Sequence, residues 1–377
     1  MLELETRNRY FDSLFANREL RWMGQNTNHI PLPAPVREAM LSSIASDEFS
    51  AYAPPLGFEE LRAAIIEDLG LPGMTAIVTD GGIAALYHVC HSSARKGATF
   101  VTTDPGWKWP ALFSRAAGAE IVEIPIYDPA CGYHLAADRL AEHVDDRTRI
   151  IYLVDPNNPL GTCVPEDEMR KIAAIAAERG AILVHDCTYR HFAESHTLAA
   201  KFYPEKTLTI YSFSKWVGLA GLRVAALVGS PALLAPMARV APNNLGSNVL
   251  SQRAALEGLR CKAEWFPTTQ AIQRHNQAMI RDVVDALPGF HLPVYPSNGN
   301  FLVIECIDAD IQPEAIVLEM QKHNIMIRQG SYHTARFGHR FIKVSTTVPK
   351  EWVAEFCDLL PDTARAVRGR RVNAALF

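Results

Sequence analysis

Between Thr75 and Gly229, short apolar runs rich in β-branched residues alternate with amphipathic stretches. The runs Ala76–Thr79, Thr99–Thr103, Ile121–Ile124, Ile150–Val154, Ala181–His185, Thr207–Tyr211 and Val224–Val228 predict strands. Short, nearly continuous apolar runs suit strands buried on both faces. Ile83–Ala94, Trp109–Ala117 and Glu166–Arg179 predict helices. In the last of these, Pro165 precedes acidic residues that suit the positive end of a helix dipole. Ile172, Ile175 and Ala176 make an apolar stripe, and Gly180 ends the helix before the run Ala-Ile-Leu-Val. Strand–helix–strand repeats of this kind imply an α/β fold, a largely parallel sheet covered by helices.

The ends of the chain follow another pattern. Pro31, Pro33 and Pro35 punctuate a loop before a helical pattern over Val36–Ile44. After Gly258 a long polar helix is predicted over about Lys262–Leu287, stopped by Pro288-Gly289. Strands are predicted at Phe301–Glu305, Ile325–Arg328 and Phe341–Ser345, then a last helix from about Lys350. The expected organisation is a large domain over 46–258 and a smaller α+β domain built from 1–45 and 259–377.

Composition narrows the classes. At roughly 150 residues per domain, 377 residues suit two or three domains. With 48% hydrophobic and 21% charged residues the chain is a globular protein rather than a disordered one. Lys plus Arg is 37 and Asp plus Glu is 41, a net charge of −4, which speaks against a nucleic-acid partner. The basic residues Arg365, Arg368, Arg370 and Arg371 therefore read as a solvated tail. No apolar run approaches the ~20 residues of a membrane helix, and Met1–Thr6 lacks the basic start of a signal peptide. Seven scattered cysteines without a CxxC pair argue against a disulfide framework and a structural zinc site. A reduced, cytoplasmic protein without a metal is expected.

Open parallel sheets bind ligands at the carboxyl ends of their strands. The segments that follow the predicted strands are Asp80-Gly81-Gly82, Asp104-Pro105-Gly106-Trp107, Asp155 to Thr162, Asp186 to Tyr189, and Ser212-Phe213-Ser214-Lys215. The glycine-rich dinucleotide fingerprint, the P-loop, HExxH and GxSxG are all missing. What stands out is a lysine after one strand, in Ser-Phe-Ser-Lys-Trp-Val-Gly-Leu-Ala-Gly-Leu-Arg, and an aspartate after another. Gly81-Gly82 before a helix suits an anion, because backbone N–H groups at a helix start are unpaired and glycine lets them come close.

These motifs, in this order from about Tyr52 into the C-terminal domain, resemble those of the fold-type I pyridoxal 5′-phosphate (PLP) enzymes. The class I/II aminotransferase group is meant, and in particular its histidinol-phosphate aminotransferase-like members. The resemblance implies a three-layer, mostly parallel large domain of the aspartate aminotransferase-like type with a smaller α+β domain. It implies that Lys215 forms a Schiff base with PLP and shuttles a proton, that Asp186 pairs with the pyridine nitrogen, and that Tyr189 and Asn158 bind the cofactor's 3′-oxygen. By the same resemblance Trp107 stacks on the ring, while Gly81, Gly82, Ser212, Ser214 and Arg223 hold the phosphate. Tyr52 matches a tyrosine that reaches the phosphate of a neighbouring subunit, so a homodimer with shared sites is expected. His185 and His191 are expected to be structural.

One position departs from the family pattern. Where the group has an arginine for the substrate carboxylate, the strand Arg340-Phe-Ile-Lys343-Val-Ser345 offers Lys343, a point charge without the bidentate fork. Arg340, three residues earlier, is expected on the opposite face of that strand. Arg328 resembles a second arginine of the histidinol-phosphate branch. The expected activity is transfer of an amino group from an amino acid or related amine to a 2-oxo acid. The alternatives are a PLP-dependent decarboxylase, lyase, cyclase or oxygen-using deaminase, and a non-catalytic effector-sensing module.

Overall fold

The computed structural model describes residues 2–239 and 244–372. They form two compact units: Ile30–Gln270 with Ser297–Gly299, and the remaining segments up to His29, Ala271–Pro296 and from Asn300 onward. The boundaries therefore lie at 29/30 and 270/271 rather than at the expected 45/46 and 258/259. Helix Ala34–Ala45 packs along helix Val249–Arg260, which places it in the larger unit. Trp265 and Phe266 pack on Trp216, which does the same for the first turns of helix Lys262–Asp285.

All but one of the strands in the first half of the chain belong to the larger unit. After β1 (Arg21–Trp22) come β2 (Thr75–Thr79), β3 (Thr99–Asp104), β4 (Glu120–Pro125), β5 (Thr148–Val154), β6 (Ile182–Asp186), β7 (Thr207–Ser212) and β8 (Ala225–Gly229). β2 to β8 form one sheet in the order β2-β8-β7-β6-β5-β3-β4. β4, β3, β5, β6 and β7 run parallel, and β8 is antiparallel to both β7 and β2. The reversal has a local cause. Residues 213–224 between β7 and β8 hold only the short turn Ala220–Leu222, with no helix to carry the chain back across the sheet. β8 therefore begins at the edge where its parallel neighbours end.

Helices Gly82–Ser93, Trp109–Ala116 and Glu166–Glu178 pack on this sheet. The last buries Met169, Ile172, Ala173 and Ala176, so the stripe is shifted from the predicted one and Ile175 is only half-buried. Every residue of β7 is buried, Leu208 among them, as are Leu183 on the neighbouring β6 and Ile151 on β5. Each such aliphatic side chain contributes about 1.5–3 kcal/mol by leaving water. That rigid core is what holds the loops at the carboxyl edge.

The smaller unit contains β9 (Phe301–Glu305), β10 (Ile325–Met326), β11 (Arg328–Gln329) and β12 (Phe341–Ser345). β11-β12-β9 is an antiparallel sheet and β1 pairs in parallel with β10. The single strand expected over Ile325–Arg328 is thus two strands broken at Ile327, each with its own partner. Helix Leu2–Ala16 and β1 were not predicted. One face of the three-stranded sheet, with Leu302, Ile304, Ile342 and Val344, joins Ile316, Met320, Val353, Phe356 and Leu360 in a core. In the basic tail, Arg370 and Arg371 pair with Glu319 and Asp310. Among the described residues no helix is long and apolar enough to cross a membrane, and all seven cysteines are free.

Candidate active site

Most of the residues singled out in the larger unit lie at the carboxyl edge of its sheet. Gly81 caps helix Gly82–Ser93 with φ 88° and ψ 162°, a combination that residues with a Cβ avoid. Its neighbour explains the need for glycine: a Cβ there would stand 2.2 Å from Nη2 of Arg223. A Cβ on Gly82 would lie 4.0 Å from Cβ of Ser212 and 4.0 Å from Oγ1 of Thr188. Ser212 ends β7, and its Oγ accepts from the Ser214 N–H at 3.2 Å. Arg223 precedes β8 in left-handed backbone (φ 54°) and donates through Nη1 to the Ala220 carbonyl at 2.7 Å. Because β8 is reversed, this arginine arrives at the helix start that carries Gly81 and Gly82. A cation, hydroxyl groups and unpaired helix N–H groups thus converge on a space kept clear by two glycines, which suits a phosphate.

Lys215 follows β7 and is anchored by the next residue. Trp216 is fully buried and stacks on His191 at 4.2 Å and on Trp265 at 5.5 Å between ring centroids. His191 is held by Asp68 at 3.1 Å, and Asp68 also takes Arg190, the Tyr211 hydroxyl and Lys262. Loss of hydration, then the Arg223 charge, lowers the pKa of Lys215 to about 8, against the opposing pull of Asp186. An amine poised so close to neutrality serves as nucleophile and as proton carrier.

Asp186 ends β6 and is buried. Burial pushes its carboxyl above the ordinary carboxylate range, while Thr188, Tyr152 and the Lys215 charge pull the other way. Tyr189, three residues on, is buried. The loop from Asp155 to Val164 carries Asn157 and Asn158, both buried. Asn157 accepts from the Leu160 N–H at 3.1 Å and donates to the Pro105 carbonyl at 3.3 Å. Gly161 (φ 78°) lies against Ser297, and Asn298 N–H donates to the Gly161 carbonyl at 2.7 Å. Trp107 is half-buried in the loop after β3, and Tyr52 is 80% exposed in the loop before helix Glu59–Leu69.

His185 has a structural task, as expected. Ala199 N–H donates to its Nδ1 at 3.2 Å, so Nε2 carries the proton and donates to Asp155 at 3.2 Å. His196 Nε2 meets the same carboxylate at 3.0 Å, and Val164 N–H reaches Asp155 Oδ1 at 2.8 Å. Asp155 thereby ties the two ends of the Asn158 loop together. His185, Cys187 and His196 have possible ligand atoms within 4.8 Å of one another. Both nitrogens of His185 are committed to these hydrogen bonds, however, so it has no lone pair for a cation.

In the smaller unit, Arg328 on β11 and Lys343 on β12 are register partners. Directly paired residues share a face, and both are buried. The Arg328 guanidinium lies 4.7 Å from the Tyr332 ring centroid, and Lys343 Nζ lies 5.3 Å from that of Phe301. Burial pulls the pKa of Arg328 down. Arg340 is not on the strand: it ends the turn Gly338–Arg340 and is paired with Glu305. The sequence places Asp155, Asn157 and Thr188 in candidate segments without marking a role for any of them, and does not single out Tyr152. Tyr152 had one signal, a hydroxyl inside an apolar strand next to the strand that ends in Asp186.

A lysine after β7, a space near it that suits a phosphate, a buried carboxylate after β6 and a sheet with one reversed strand agree with the resemblance to PLP-dependent enzymes of fold type I. Residues 19–360 match the family model described as aminotransferase class I and II. The chain is 31% identical over 299 residues to histidinol-phosphate aminotransferase 1 of Burkholderia lata, covering 78% of this chain and 79% of that one. It is 29% identical over 289 residues to the aspartate/prephenate aminotransferase of Thermus thermophilus, covering 72% of each. A solved aspartate aminotransferase of Thermus thermophilus, a single mutant, superposes with a TM-score of 0.82 over 96% of both chains at 22% identity. The chain belongs to the class I and II aminotransferases, and its cofactor is pyridoxal 5′-phosphate.

Proposed function

We propose that Lys215 is the residue that carries PLP covalently and that the enzyme passes an amino group from an amino acid or related amine to a 2-oxo acid. The observation that carries this is the placement of one amine directly after β7, next to Ser212 and Ser214, where Arg223 meets the helix start of Gly81 and Gly82; loss of hydration, then the Arg223 charge, lowers its pKa to about 8. The cofactor, when bound, supplies an electron sink for a carbanion. With the cofactor bound, Lys215 Nζ would carry the proton at the substrate carbon, Asp186 would partner the ring nitrogen, and Asn158 and Tyr189 would hold the 3′-oxygen. Trp107 would pack on the ring, and Gly81, Gly82, Ser212, Ser214 and Arg223 would hold the phosphate.

The paired cations Arg328 and Lys343 support a donor with an anionic group, a carboxylate or, as in the name of the Burkholderia relative, a phosphate. The exposure of Tyr52, with Leu41, Ile44 and Phe49 nearby in sequence, supports a homodimer in which Tyr52 serves the neighbouring subunit's phosphate site. Free cysteines support a reduced, cytoplasmic setting. The test is a panel of amines given to loaded enzyme with and without 2-oxo acids. Transfer consumes about one donor per site without an acceptor and turns over continuously with one. Continuous donor consumption without any acceptor would assign a different reaction.

A further inference from the structure

An ionised carboxylate has about four lone-pair directions, two on each oxygen. On Asp186 this chain fills three of them. Oδ1 accepts from the Thr188 N–H at 3.1 Å and from Thr188 Oγ1 at 2.6 Å. Oδ2 accepts from the Tyr152 hydroxyl at 3.0 Å. One direction is left, on the same oxygen that Tyr152 touches. Tyr152 is fully buried on β5, next to β6.

We propose that Tyr152 and Thr188 are positioning residues that hold Asp186 ionised and so keep a proton on the ring nitrogen of the bound cofactor. This rests on the reading of Asp186 as the partner of that nitrogen. In a dry pocket the proton between a pyridine nitrogen and a carboxyl group has two resting places, and burial favours the neutral pair over the charged one. Hydrogen bonds donated to a carboxylate favour its charged form. Three of them on Asp186 therefore send the proton to the ring, where it strengthens the electron sink. The hydroxyl of Tyr152 stays a donor throughout, because burial and the Asp186 charge raise its own pKa well above the usual value. The Thr188 Oγ1 contact is the shorter of the two, 2.6 Å against 3.0 Å, so its removal acts at least as strongly as that of Tyr152, even with the Thr188 N–H left in place.

Two readouts independent of turnover test this. The first is the ¹⁵N chemical shift of ring-labelled PLP bound to the wild type, Tyr152→Phe, Thr188→Val, Thr188→Ser and Asp186→Asn. The second is the ¹³C titration of the Asp186 carboxyl in the cofactor-free proteins. Wild type and Thr188→Ser are expected to show a protonated ring. Tyr152→Phe should move the ratio of protonated to neutral ring by about tenfold or more, and should raise the Asp186 midpoint by about one pH unit or more. Thr188→Val should move both in the same direction by at least as much. Native values of both readouts in Tyr152→Phe and Thr188→Val overturn the proposal. If Asp186→Asn itself leaves the ring protonated, the reading of Asp186 fails instead. A ring that loses its proton in Asp186→Asn but not in Tyr152→Phe overturns the proposal alone.

Discussion

The lowered proton affinity of Lys215 is measurable through the pH dependence of cofactor capture. With a pKa of about 8 in place of 10.5, roughly a quarter of the molecules carry a neutral amine at pH 7.5, against about one in a thousand for an ordinary lysine. The cofactor-free protein should therefore form its covalent cofactor adduct roughly two hundred times faster at that pH than an unperturbed lysine would. The assay is stopped-flow absorbance of the adduct, scanned from about pH 7 to 10.5. The cofactor phosphate, with a second pKa near 6, stays doubly charged over that range. The rate should rise about fivefold between pH 7 and 8 and level off about twofold higher above pH 9, with its midpoint near pH 8. The two neighbours act with opposite signs. Arg223 lowers the lysine pKa, so Arg223→Gln moves the midpoint up. Asp186 raises it, so Asp186→Asn moves the midpoint down. The midpoint is read rather than the amplitude, because Arg223→Gln also weakens the phosphate site. A midpoint near 10.5 in the wild type, or shifts of the same sign in the two variants, would refute the reasoning.

Gly81→Ala places a Cβ where Arg223 lies, in backbone that only glycine adopts freely. It should cost about 1–3 kcal/mol of stability and weaken PLP binding by about tenfold, read by thermal unfolding and cofactor titration. Arg328→Ala and Lys343→Ala should each lower kcat/KM for the best donor by ten- to a hundredfold, the worth of about 1.5–3 kcal/mol for a charged hydrogen bond. If neither falls threefold, the donor's anionic group is not held by this pair. Mixing inactive Tyr52→Phe with inactive Lys215→Ala subunits should restore activity, since a hybrid dimer contains one site with both native residues. Recovery no greater than the sum of the two homodimers argues against a Tyr52 shared across an interface.

The large sheet was legible because strands buried on both faces leave uninterrupted apolar runs, and all seven predicted strands of this sheet are present within a residue or two at each end. β1 was not, since two residues make no period. Ile325–Arg328 reads as one run, and only its separate partners split it. Arg340 was misplaced because nothing in the sequence marks the end of the turn at Gly338, whereas its pairing with Glu305 removes it from any substrate. The residues that present loop chemistry after strands, such as Lys215 and Asp186, were visible through their neighbours. Tyr152 and Thr188 were not, because their importance lies in hydrogen bonds to Asp186, one of them from an adjacent strand, and no spacing along the chain encodes that pair.

Every role proposed for the site depends on Lys215 being the residue to which the cofactor is joined. Borohydride reduction of the loaded enzyme, followed by mass mapping of its peptides, tests it directly. The reduced cofactor should be found on the peptide containing Lys215 and on no other, and Lys215→Ala should lose it while keeping the fold by circular dichroism. A stoichiometric adduct on another lysine, or an undiminished one in Lys215→Ala, would contradict it.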